Sequence, residues 1–167
     1  FEAWYQLSKG QNIGDAREAA KLFDAPGLNV MYADAQGNIA WWAAARLFKR
    51  PDHVNPKMLL DGSKQDAPLE FIDFSYNPKA ENPSWGYVYS ANNQPDSLQG
   101  MDVPGYYFAD HRAKAIDELL QSANDWDVSK VRAMQAHTRS SRKQELTATM
   151  LSLLSDSSHH EGVSKEA

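Results

Sequence analysis

The chain has 167 residues and five tryptophans, a size and composition that suit one globular domain or one piece of a larger protein. Its net charge of −5 gives no basis for nucleic acid binding, which needs a basic stripe. It has no cysteine, which excludes disulfides, a thiolate nucleophile and thiolate metal sites, and no apolar run approaches the ~20 residues of a membrane helix.

The N-terminal part of the chain predicts two helices. Residues 1–11 are typical of a helix that ends at Gly10, and Asn12 is a good cap for a second helix over Ile13 to Phe23. The chain starts at Phe1 with neither an initiator Met nor a signal peptide. We therefore expect an excised or processed segment.

A hairpin follows. The sequences LNVMYAD (Leu28 to Asp34) and IAWWAAA (Ile39 to Ala45) predict two strands, and AQGN between them predicts a turn in which Gly37 supplies the unusual φ. The alanines of the second strand would let another group approach its backbone closely. Residues 46–65 predict a long loop, and residues 68–74 a short strand.

The segment NPKAENP (Asn77 to Pro83) predicts a turn region because each Asn-Pro pair restricts the backbone. The next segment, WGYVYSANN (Trp85 to Asn93), predicts a strand that stops at two asparagines. A carboxamide at a strand end offers two N–H donors and suits an oxyanion hole. The alternative interpretation is ordinary turn chemistry, which uses Asn far more often than active sites do.

The C-terminal part predicts helices. Asp110 would cap a helix whose apolar face includes Ile116, Asp127 would cap the next, and a third helix would run through Leu146 to Leu154. Residues 12–93 therefore predict a helix and a β-rich part, residues 110–154 a helical part, and residues 155–167 a disordered tail. The expected fold class is α+β.

No standard catalytic motif is present. The sequence has no nucleophile elbow, no HExxH zinc motif and no P-loop, and no serine stands in a recognisable triad pattern. The residues alone therefore predict groups that bind or stabilise, and no nucleophile.

Three blocks carry a family resemblance: NVMYADAQGNIAWWAAAR, NPKAENPSWGYVYSANNQP and DHRAKAIDELL. In their order and spacing they resemble the penicillin acylase family of N-terminal nucleophile amidohydrolases. The resemblance covers about Leu28 to Gln135. It implies an internal fragment of the large subunit, with antiparallel strands that form part of an αββα sandwich and a helical segment after them.

The resemblance implies roles for two residues. Asn92 matches the family's side-chain donor in the oxyanion hole, with Asn93 as a structural neighbour, and Arg112 matches the arginine that organises the site around that asparagine. The family's nucleophile is the first residue of the large subunit, and its α-amino group serves as the base. Phe1 cannot serve as that nucleophile, so we expect this chain to be inactive alone.

The resemblance also bears on ligands and partners. Some members of the family bind calcium, and Asp102 lies near a family carboxylate position, but the other ligands are unmatched, so we expect no metal site and no cofactor. PLEFIDF replaces the family's W-x-G and leaves the pocket shape open. Expected partners are the small subunit, the start of the large subunit and an N-acyl substrate, and the expected location is periplasmic or secreted.

A second hypothesis is a binding or structural module that reuses the scaffold without catalysis. Exposed aromatic residues would then make the contacts: Trp41, Trp42, Tyr106 and Tyr107. In a fragment, such apolar surface would also favour a homodimer.

Overall fold

The predicted hairpin lies at the centre of the first of two units in the computed structural model, which describes residues 1–49, 53–55, 58–59, 61–63, 70–95, 103, 105–138 and 140–155. The first unit is Phe1–Ala109 and the second is Asp110–Ala167. In the first unit two α-helices are followed by antiparallel strands, and the described part of the second unit is helical. This arrangement confirms the α+β class.

Two short helices cover one face of the hairpin. Helix α1 spans Glu2–Lys9 and ends at Gly10, and α2 spans Ile13–Ala20, with the Asn12 side chain accepting a bond from the third residue of the helix. The predicted cap is confirmed. The helix is three residues shorter than predicted because the backbone N–H groups of residues 22 and 23 bond three residues back, which tightens the chain into a turn.

Strands β1 (Leu28–Ala33) and β2 (Ile39–Ala44) pair antiparallel around the predicted turn, where Gly37 has a φ of 87°. Alternate residues of β2 are fully buried against the helices, and they join small helix residues and a ring in one core: Ala3, Ala16, Ala20, Phe23, Ala40, Trp42 and Ala44. Alanines on both sides let the helix and the sheet approach closely, and Trp42 is the largest fully buried apolar side chain among the described residues.

The predicted loop after the hairpin contains a two-residue strand. Strand β3 (Phe48–Lys49) pairs antiparallel with β4 (Glu70–Phe71), and the rings of Phe48 and Phe71 lie 4.9 Å apart. The prediction of a strand within residues 68–74 is confirmed over β4. Facing aromatic side chains stabilise this short pair, a contact that loop composition alone does not reveal.

The third strand of the main sheet was predicted as a turn. Strand β5 (Lys79–Glu81) pairs with β2, and the sheet order is β1-β2-β5. Proline lacks an N–H, but each Asn-Pro pair borders this edge strand instead of breaking it. Asn77 Nδ2 donates to the carbonyls of residues 43 and 45, and Asn82 Oδ1 accepts the N–H of residue 39.

The predicted strand from Trp85 to Asn93 is wrong. Residues 83–86 form a turn in which Gly86 has a φ of 83°, and Asn92 has a φ of 60°, so the backbone turns left-handed near both ends of the segment. The only ladder contact recorded in this described stretch is a single bridge from Asn93 to Phe108. Alternation of aromatic residues predicted the strand, and the positive φ values overrode that preference.

Three helices make up the described part of the second unit: α3 (His111–Gln121), α4 (Val128–Gln135) and α5 (Ser141–Ser155). The Asp127 side chain caps α4 by accepting the N–H of Lys130 at 2.8 Å, as predicted. Asp110 stands at the start of α3 but makes no side-chain cap bond, because its carboxylate pairs with Lys114 at 2.7 Å. No described helix is long and apolar enough to cross a membrane.

Two sequence predictions lie outside the described residues. Residues 156–167 of the predicted tail and Asp102, the residue near a family carboxylate position, are both among them. The tail and the calcium question therefore stay predictions.

The Glu81 carboxylate on β5 links a helix and a neighbouring strand of the first unit. Arg17 of α2 donates to both of its oxygens, from Nε at 2.7 Å and from Nη2 at 2.5 Å, and the buried indole of Trp42 donates at 2.7 Å. The bonds from Arg17 lower the pKa of Glu81 below its ordinary 4.5 against the opposing effect of burial, and the Trp42 bond lowers it further. A bidentate, charge-assisted pair is among the stronger polar contacts, and here a buried indole donates to the same carboxylate.

Replacing this carboxylate should destabilise the fold. We expect Glu81→Gln to lower the free energy of unfolding by about 2 kcal/mol, because an amide N–H would face the Arg17 guanidinium and the pair would lose its charge. Urea denaturation followed by tryptophan fluorescence measures the change. The matched control is Glu70→Gln, which removes an exposed pair with Lys49 (3.3 Å) and should change stability by less than about 0.5 kcal/mol. Equal effects of the two changes would contradict this role.

The same carboxylate predicts a dependence of stability on pH. Its pKa is lowered on folding, so its contribution is fully present above the unfolded value of about 4.5 and is lost as the pH falls through the folded value. The difference in unfolding free energy between the natural chain and Glu81→Gln should therefore be constant from pH 5 to 7 and shrink below about pH 4.5. A difference that grows on acidification would contradict the assignment.

Candidate active-site segment

Asn92, the predicted oxyanion donor, lies in the first unit with its side chain exposed. Its backbone is left-handed, with a φ of 60°, a conformation that asparagine adopts more readily than most residues with a Cβ. This geometry fits the turn chemistry that the dipeptide also predicted. The same geometry also restricts the carboxamide. When the backbone of Asn92 is held, only rotation about the side-chain torsions can change where the carboxamide points.

Main-chain contacts hold the residue on its C-terminal side. The Asn92 carbonyl accepts the N–H of Phe108 at 2.8 Å, and Asn93 forms a parallel bridge with the same residue. Ala91 is only 1% exposed. The Asn93 side chain donates to the carbonyl of the next residue at 3.2 Å. The segment is therefore pinned although it is not a strand.

The second predicted residue, Arg112, lies in the other unit, on the first turn of α3, and its side chain is exposed. A positive charge there opposes the helix dipole. The structure therefore places Asn92 and Arg112 each in its own unit, and their roles stay predictions.

The aromatic residues of the second hypothesis divide into two groups. Trp42 is fully buried, so its prediction as an exposed contact is wrong, because its indole anchors the core through Glu81. Tyr106 is 80% exposed. Tyr107 is less exposed, and burial raises the pKa of its phenol.

One contact of this segment left no signal in the sequence. Any residue except proline offers a main-chain N–H, so the bond from Phe108 to the Asn92 carbonyl could be found only from the backbone path. Among the described residues, no three His, Asp or Glu side chains come together in a way that could hold a metal ion. The chemistry that the segment can supply is hydrogen-bond donation from a carboxamide.

Comparisons with known proteins agree with the sequence blocks. The family model described as penicillin amidase matches residues 1–166. An acyl-homoserine lactone acylase, QuiP, from Pseudomonas fluorescens is 28% identical over 126 residues, which are 73% of this chain and 15% of that protein. Penicillin G acylase from Escherichia coli is 28% identical over 135 residues, 75% of this chain and 16% of that protein.

A solved structure supports the same relationship. The thermostable penicillin G acylase from Alcaligenes faecalis matches with a TM-score of 0.67 and 26% identity, over 79% of this chain and 24% of that chain. The chain thus spans roughly a sixth of the length of the curated relatives it matches. The family model covers nearly every residue, and the chain belongs to the penicillin amidase family.

Proposed function

We propose that this chain is part of an acylase that hydrolyses linear amides with an N-acyl group, and that it supplies the oxyanion-hole donor. The observation that carries the proposal is the family match over residues 1–166, together with relatives named as acylases for penicillin G and for acyl-homoserine lactones. The acyl group and the leaving amine stay open, because the chain spans only a small part of those relatives.

In the proposed reaction the attacking hydroxyl comes from a residue outside this chain, with that residue's own α-amino group as base. Attack on the substrate carbonyl creates a negative oxygen, and the Asn92 carboxamide N–H stabilises it. The amine leaves, and water then hydrolyses the acyl-enzyme. Arg112 would orient the site with a planar guanidinium that can donate five N–H bonds. The exposed position of Asn92 supports a donor that faces a ligand.

The first test removes the donor from the full acylase. We expect Asn92→Ala to lower kcat by roughly 10²–10³-fold with little change in KM, because the oxyanion exists only in the transition state. Release of a chromogenic amine from an N-acyl substrate measures both constants. Asn93→Ala is the matched control and should keep most of the activity. If Asn92→Ala retained full kcat, the proposed role would be wrong.

A second test concerns Arg112. Because a guanidinium orients several oxygens at once and an ammonium does not, we expect Arg112→Lys to lower kcat at least about tenfold in the full acylase. The same assay measures it, and Arg132→Lys, on α4, is a matched arginine control. If both changes lowered kcat by the same small factor, the proposed role of Arg112 in orienting the site would be wrong.

A third test uses the chain alone. Phe1 offers no hydroxyl or thiol, so we expect the purified 167-residue chain to release no chromogenic amine above the buffer rate. Steady hydrolysis that co-purifies with the chain would contradict the proposal that the nucleophile lies elsewhere.

We propose the remainder of the acylase as the main partner. Helix α5 carries large apolar side chains that are each more than half exposed: Leu146, Met150, Leu151, Leu153 and Leu154. Such a surface is typical of a protein contact, and in the isolated chain it would favour a homodimer. A periplasmic or secreted location is proposed on the family resemblance alone.

A further inference from the structure

The backbone at Asn92 is held in a conformation that costs energy for a residue with a Cβ. Its φ is 60°, and its carbonyl accepts the Phe108 N–H at 2.8 Å. Asn93 bridges to Phe108 as well, and Ala91 before it is 1% exposed. The peptide group that follows Asn92 is therefore held by the main chain of Phe108, and Asn92 itself is exposed.

An oxyanion donor works only when it is oriented before the charge develops. Many donors are held by a strand or a helix, but Asn92 lies in no regular element. The hydrogen bond from the Phe108 N–H orients the peptide group after Asn92, and this orientation restricts the direction in which the side chain leaves the Cα. Phe108 is 71% exposed, so its ring has little packing of its own. We therefore attribute the holding of Asn92 to the main-chain N–H of Phe108.

We infer that the main-chain N–H of Phe108 is a positioning group for catalysis: it holds the Asn92 carbonyl and thereby aims the Asn92 carboxamide at the oxyanion. This inference rests on the proposed function of Asn92. It differs from an ordinary turn contact in one respect that can be measured. A turn contact stabilises the fold whatever side chain residue 92 carries, whereas a positioning bond matters for turnover only while the carboxamide is present.

The experiment replaces the Phe108 amide with an ester in the full acylase, by incorporating the α-hydroxy analogue of phenylalanine. This change removes the N–H donor and keeps the ring. We expect kcat to fall about 10–100-fold with KM changed less than about threefold, since a small misplacement of a catalytic group has that effect. The matched control places the same analogue at Phe23, whose N–H bonds the Ala20 carbonyl at 3.3 Å in the turn after α2, and this control should keep more than about half of kcat.

A double-mutant cycle separates positioning from general damage. Asn92→Gly removes the carboxamide and tolerates the left-handed backbone, so the ester at position 108 should lower kcat no further in that background. An ester that lowers kcat equally in both backgrounds, or that leaves kcat unchanged in the natural background, would overturn the inference. Full activity of Asn92→Gly would overturn the proposed function itself. An ester variant that unfolds, as judged by circular dichroism, would also overturn the inference, because the bond would then be needed for the fold and not only for turnover.

Discussion

The first unit depends on a single carboxylate. Glu81 lies on the edge strand of the sheet, receives two bonds from Arg17 of the covering helix, and receives a third from the indole of Trp42 in the central strand. Helix, central strand and edge strand thus meet at one group. A partly buried carboxylate without these donors would destabilise the fold, so the helix and the two strands each stabilise the position of the others.

This dependence explains the composition of the central strand. Its inward residues other than Trp42 are alanines, which contribute little buried area themselves but allow the helix to lie close enough for Arg17 to reach across. The indole then fills the remaining space and turns its N–H toward the carboxylate. The inward alanines and Trp42 therefore act together. Without the indole the core would have a cavity, and without the alanines Arg17 would not reach the carboxylate and its charge would be unpaired.

The sequence predicted elements whose signals are local. The hairpin, the caps at Asn12 and Asp127 and the helices follow from periodicity and cap residues that act within a few positions. Strand β5 was missed because its pairing depends on β2, more than thirty residues away, and its prolines favour a turn. The strand predicted before Asn92 is wrong for a different reason. Its alternating side chains are a local strand signal, but that pattern does not reveal the positive φ values of Gly86 and Asn92.

The candidate site divides in the same way. A side-chain type at a family position can be identified from sequence, so Asn92 and Arg112 were named. The hydrogen bond that holds Asn92 comes from a main-chain N–H sixteen positions later, and every residue but proline has one. The two interpretations of Asn92, turn residue and donor, need not compete, because the same left-handed backbone that suits a turn can fix the direction of a side chain.

The two Asn-Pro pairs around β5 have a practical consequence for protein engineering. At one end Asn77 donates to the carbonyl of Ala43 in β2 and to that of Ala45 just after it, and at the other end Asn82 exchanges bonds with Ile39. These two asparagine clamps fix the length of the strand. A slip by one residue would break both clamps and turn Glu81 to the opposite face. We therefore expect insertions before Asn77 or after Asn82 to leave the pairing of β5 with β2 unchanged. The loops that flank β5 can then be lengthened or exchanged while the strand keeps its register.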